Sequence, residues 1–134
     1  SKSTAQMDIA NNQLSEMHGL VGRIRLACAA VGAFRDTLED QDKEMLDYMV
    51  DASVALHSKF GSILTESTVA DPSYELSRVE RHDLRNNITA VLGFGELLMQ
   101  CYSEPSVMIQ QLDRLRADSK RFTELTMPPE MVSA

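Results

Sequence analysis

The chain has 134 residues, room for one domain or two small ones sharing a core, and 43% of them are hydrophobic. A formal net charge of -7 repels phosphate backbones and anionic lipid headgroups, which argues against nucleic acid and membrane-surface partners. No apolar run approaches the roughly 18–20 residues that a spanning helix needs, so membrane insertion is not expected. Leu, Ala, Met, Glu, Gln and Arg fill the long segments, and only 6 Gly and 4 Pro interrupt them. These are good helix formers, and they predict an all-α fold.

The opening Ser1-Lys2-Ser3 is expected to be a cloning remnant. A first helix is predicted over residues 5–38, where Met7, Ala10, Leu14, Met17, Val21, Ile24, Cys28 and Val31 recur at spacings of three and four. That seam suits a helix packed along another helix. The acidic run Glu39-Asp40-Gln41-Asp42 breaks it, and Asp40 or Asp42 is placed to cap the next helix and complement its dipole. A second helix follows Leu46, Val50, Ser53, Phe60 and Leu64 and ends near Glu66. His57 falls where its apolar seam would continue, and is expected to be packed or partly buried.

Residues 67–73 contain Asp71-Pro72 and no periodicity, and form the main linker. A third helix should start near Ser73, with Leu84, Ile88, Val91, Gly95 and Leu98 on one face. A turn is predicted from Cys101 to Pro105, where Ser103 can cap and Pro105 suits a first helical turn. The fourth helix carries Met108, Leu112, Leu115, Phe122 and Leu125 until Pro128-Pro129 stops it. The last residues, 128–134, resemble a cut linker or tail, so the chain is expected to be a fragment. Cys28 and Cys101 lie inside helical patterns without metal-ligand spacing, which fits small core residues in a reducing, cytoplasmic setting.

The halves 1–66 and 74–127 resemble each other. A shift of 64 residues places His18 on His82, Leu20 on Leu84 and Ile24 on Ile88. In the partner helices a shift of 62 pairs Val50 with Leu112, Asp51 with Asp113, Ala55 with Ala117 and Phe60 with Phe122. Either the chain is a duplication, or heptad-like patterns align by chance. Two antiparallel helical hairpins that form a four-helix bundle, within the chain or by dimerisation, follow from this organisation.

The chemistry is concentrated in residues 81–98, Arg-His-Asp-Leu-Arg-Asn-Asn-Ile-Thr-Ala-Val-Leu-Gly-Phe-Gly-Glu-Leu-Leu. A neutral imidazole on a rigid element can attack a phosphoryl group, and a neighbouring carboxylate can orient it and take its proton. An amide four residues further on shares the same helical face. This stretch resembles the histidine box of the dimerisation and histidine-phosphotransfer (HisKA-like) domains of sensor histidine kinases. It matches at His82, Asp83, Leu84, Arg85, Asn86, Ile88 and Leu97-Leu98, and departs at Asn87, where the family usually has a helix-bending proline.

The resemblance implies a module of two-component signal transduction in which His82 accepts phosphate and passes it to an aspartate of a response-regulator receiver domain. Asp83 would then be the base, Asn86 would position water in the reverse, phosphatase-like reaction, and Arg85 would neutralise phosphate. It also implies a homodimer and a separate ATP-binding kinase domain, in cis or trans, since no glycine-rich loop exists here to bind ATP and Mg. The chain is therefore expected to be part of a histidine kinase or phosphotransferase, with no cofactor or metal of its own. His18 is followed by Gly19 and Gly22 where the family needs an acid and an amide or hydroxyl, which suits a vestigial or structural residue. Arg81 is read as a surface partner of Glu80. The alternative is a catalytically inactive dimerisation module attached to another output domain, such as a nucleotide cyclase or phosphatase.

Overall fold

The computed structural model describes residues 4–68, 71, 73–102 and 104–127. Helix α1 spans Thr4–Gly32, α2 Asp40–Ile63, α3 Arg78–Cys101 and α4 Val107–Thr126; a 3₁₀ turn covers Arg35–Thr37 and a π turn Leu64–Thr68. No strand forms among the described residues, so the all-α expectation holds. Each of α1 and α3 packs against both α2 and α4, which leaves α1 opposite α3 across the bundle. Glu16 and Arg23 of α1 meet Arg121 and Asp118 of α4 in that order, so these helices are antiparallel. The same holds for α2 and α3, where Lys59 meets Asp83 and Asp42 meets Tyr102. The four-helix bundle is closed within one chain, and neither hairpin buries its apolar face alone.

The core runs along all four helices, with Leu20, Ile24, Leu56, Phe60, Ile88 and Phe122 among its sealed side chains. Phe60 and Phe122, the pair related by the shift of 62, meet edge to face with ring centroids 6.2 Å apart. Burial also recurs at the shift of 64, with Leu20, Ile24, Ala27 and Val31 answering Leu84, Ile88, Val91 and Gly95. Gly95 lets α3 approach its neighbours closely, since a Cβ there would lie 3.3 Å from Leu115 Cδ2 and 3.6 Å from Met49 Sδ. Cys28 lies in this core, and burial pushes its thiol pKa up to about 11.

The helix ends refine the sequence reading. α1 stops at Gly32, and the chain turns through residues 35–37 so that Leu38 re-enters the core instead of extending the helix. Arg35 closes that turn with two hydrogen bonds to Asp47, at 2.9 and 3.0 Å. At α2 the N-cap is Glu39, without a side-chain cap, and Asp40 and Asp42 occupy the first turn. Asp42 is buried there and accepts a hydrogen bond from the Tyr102 hydroxyl at 2.7 Å.

α3 begins later than Ser73. The Ser73 amide and hydroxyl donate to Asp71 Oδ1, while Ser77 and Glu80 form a reciprocal capping box that starts the helix. Ser106 caps α4 through a bond from the Ile109 amide, and Pro105 therefore precedes the cap rather than sitting in the first turn. The predicted cap Ser103 and the stop at Pro128-Pro129 lie outside the described residues. Cys101 is exposed, against its expected place in the core, because α3 ends there and Tyr102 turns inward instead. Among the described residues, no helix is long and apolar enough to cross a membrane.

Candidate functional site

Leu84 and Ile88 fix the core-facing side of α3. Two residues before Leu84 lies about 200° around the helix, so His82 is turned outward. Its side chain is 64% exposed. Asp83 and Asn86 are brought to one side of its ring. Asp83 Oδ1 lies 3.8 Å from His82 Nδ1, and the Asn86 amide nitrogen lies 3.5 Å from the same atom. These separations bracket the outer limit of a hydrogen bond, and a reacting state would need to tighten them. Both groups approach Nδ1, and Nε2 is the nitrogen on the other side of the ring.

Asp83 is also held from another helix. Lys59 Nζ donates to Asp83 Oδ2 at 2.9 Å, and this bond is the main reason the Asp83 carboxyl sits below the usual carboxylate range. The carboxylate beside His82 is thus ionised and oriented by α2, but the cation also weakens it as a proton acceptor. Sequence reasoning missed Lys59. It lies 23 residues before His82 in a different hairpin, and only the docking of α2 on α3 brings it near.

Arg85 points the other way. Its Nη1 donates to the Thr126 carbonyl at 3.2 Å and so caps the C-terminus of α4. Glu80, expected to pair with Arg81, instead accepts from the Ser77 amide and from the Tyr74 hydroxyl. Burial pushes the Glu80 carboxyl up, yet hydrogen bonds from Tyr74 and Ser77 outweigh it and leave the group below its ordinary pKa.

His18 occupies the opposite corner of the bundle and is exposed. It lines a shallow cleft of about 170 Å³ with Val21, Gly22, His57, Phe60 and Gly61. His57 is exposed rather than packed: Leu56 takes the core position, and one further residue rotates about 100° outward. Gly19 and Gly22 put no acid or amide beside His18, so this corner lacks the groups that surround His82. Among the described residues, no group of three or more His, Cys, Asp or Glu side chains could hold a metal ion.

Between α2 and α3, the stack of Tyr48 on Phe94 (centroids 5.3 Å apart) and the exposed Leu97 form an apolar strip on the C-terminal side of His82. No protein-family model, curated protein or solved structure matches the chain, and the chemistry open to the α3 corner is that of its own residues.

Proposed function

We propose that the chain is a histidine-phosphotransfer module of two-component signalling, with His82 as phosphoacceptor. The observation that carries this reading is the grouping of Asp83 and Asn86 around Nδ1 of an exposed His82, which leaves Nε2 for attack. With the proton on Nδ1, Asp83 takes it as Nε2 bonds to phosphorus, and Asn86 positions water in the reverse reaction. Phosphate comes from a separate ATP-binding domain, which holds ATP and Mg in cis or trans, or from a phosphorylated receiver. It leaves to a receiver aspartate, and the strip of Tyr48, Phe94 and Leu97, about 18–22 Å along α3 from His82, supports docking of that partner along the helix. The proposed homodimer joins two complete bundles rather than completing one. Two unpaired cysteines fit the proposed cytoplasmic setting.

The test supplies radiolabelled ATP to the chain with its neighbouring sequence restored, and phosphorylated receiver domains to the chain alone. Acid-labile, alkali-stable label that disappears with His82→Gln and survives His18→Gln is the expected result. A folded protein that takes label from neither donor would leave the second reading, a catalytically inactive dimerisation module. The Lys59–Asp83 pair favours that second reading, because it restrains the base in the resting state.

A further inference from the structure

We infer that Lys59 of α2 is a phosphoryl-holding residue of the His82 site, so that the first hairpin supplies part of the chemistry; this rests on the phosphotransfer reading. The buried residues Leu56, Phe60 and Ile63 orient α2 and put Lys59 on the flank facing α3. There its Nζ is 2.9 Å from Asp83 Oδ2, while Asp83 Oδ1 is 3.8 Å from the His82 ring. The side chain remains 40% exposed. A phosphoryl group arriving at His82 brings up to about two negative charges next to a carboxylate that is already ionised. That repulsion needs a cation within reach.

The other cations near His82 are less well placed. Arg85 is engaged by the Thr126 carbonyl on the opposite flank. Arg81 lies on the side of His82 away from Asp83, about 200° from that carboxylate around α3. The counterpart of Lys59 at the shift of 62 is Arg121, which is held by both oxygens of Glu16 (2.6 and 2.9 Å) and by Glu124 at 3.1 Å. Such a fork is a fixed structural clamp. A lysine on a flexible stem, with three rotatable donors and a single carboxylate hydrogen bond, can move its charge to a new anion.

In the step, the lone pair of His82 Nε2 forms the N–P bond and the bond from phosphorus to the donor's leaving atom breaks, its electron pair departing with the donor. The Nδ1 proton passes to Asp83. Lys59 stays protonated and transfers its hydrogen bond from Asp83 to a phosphoryl oxygen, which frees Asp83 to accept that proton.

The test uses phosphoramidate, which releases ammonia as it phosphorylates histidine and needs neither an ATP-binding domain nor a receiver. Phosphorylation at His82, His18 and His57 is followed separately by NMR in the wild-type chain and in Lys59→Gln and Lys59→Arg, with thermal melts as the check on folding. The two other exposed histidines, His18 on α1 and His57 two residues before Lys59 on the other side of α2, serve as references in the same tube. We expect Lys59→Gln to slow His82 about tenfold relative to both references, and Lys59→Arg to restore most of the rate. A His82 rate that exceeds the references but is unchanged by Lys59→Gln would overturn the role of Lys59 alone. A wild-type His82 no faster than His18 and His57 would overturn this inference together with the phosphotransfer reading.

Discussion

The His18 and His82 corners share a scaffold and differ in chemistry. Both histidines lie on long helices, both are exposed, and both are followed by apolar residues in the same buried register. At His82 the positions one and four residues on are Asp83 and Asn86, and α2 adds Lys59. At His18 they are Gly19 and Gly22, and α2 adds His57 and Gly61. The cations diverge as well, with Arg121 locked between two glutamates and Lys59 on a single aspartate. The comparison separates what holds the bundle together from what could act on a phosphate. Apolar register alone secures a helix, and only the residues between the register positions decide whether its histidine has a base, an amide and a cation nearby.

The largest effect should come from the aromatic contact between equivalent residues of the two halves. Phe60→Ala and Phe122→Ala should each destabilise the bundle by about 3–5 kcal/mol in urea unfolding. The double variant should lose less than the sum, because the rings contact each other. If one substitution is far cheaper than the other, the hairpins do not contribute equally to the core. Next is the capping difference. Ser77→Ala removes a reciprocal cap and should cost about 1 kcal/mol, with faster hydrogen exchange in the first turn of α3. Glu39→Ala, at a cap without a side-chain bond, should change little by the same measures.

The glycines sharpen the contrast further. Gly22→Ala and Gly61→Ala meet nothing within 4 Å and should raise stability by up to about 1 kcal/mol through helix propensity. At Gly95 the 3.3 Å approach to Leu115 should cancel that gain, which thermal melts of the three variants would show.

The smallest effect concerns pH. The carboxyls of Glu16 and Asp83 are held below their ordinary ranges, chiefly by hydrogen bonds from Arg121 and Lys59. A depressed folded pKa means that each contribution is complete above the unfolded carboxyl range and is lost as pH falls through the folded value. Carboxyl NMR titrations should therefore show both groups ionised to more acidic pH than free glutamate and aspartate side chains. Lys59→Gln should release Asp83 and leave Glu16 alone.

Much of this was legible in the chain itself, and the failures have identifiable causes. Seams of three and four residues gave the helices, and the seam of α3 was read at every buried position from Leu84 to Leu98. In α2 the seam visible in the sequence runs through Val50 and Leu64, whereas the buried set alternates through Met49, Ser53, Leu56, Phe60 and Ile63. That one-residue offset is why Leu56 and not His57 faces the core. The capping box from Ser77 to Glu80 carries its own sequence signature, but Asp71-Pro72 drew the helix start too early. His82, Asp83 and Asn86 cluster because they share one helix, so spacing alone could bring them together. The contacts of Lys59 with Asp83 and of Arg85 with Thr126 cross between helices, and no local pattern encodes how the helices dock.

A bundle made of one chain also has a definite count. Were the same four helices supplied by two copies of a hairpin, every side chain would occur twice and a partner would find two identical docking corners. Here His82, Asp83, Asn86 and Lys59 each occur once per bundle. Dilution cannot split the site from its scaffold, and a partner that recognises the α3 corner binds with a stoichiometry of one per chain. A substitution on the opposite corner then changes that face alone, without a copy of the change appearing beside His82.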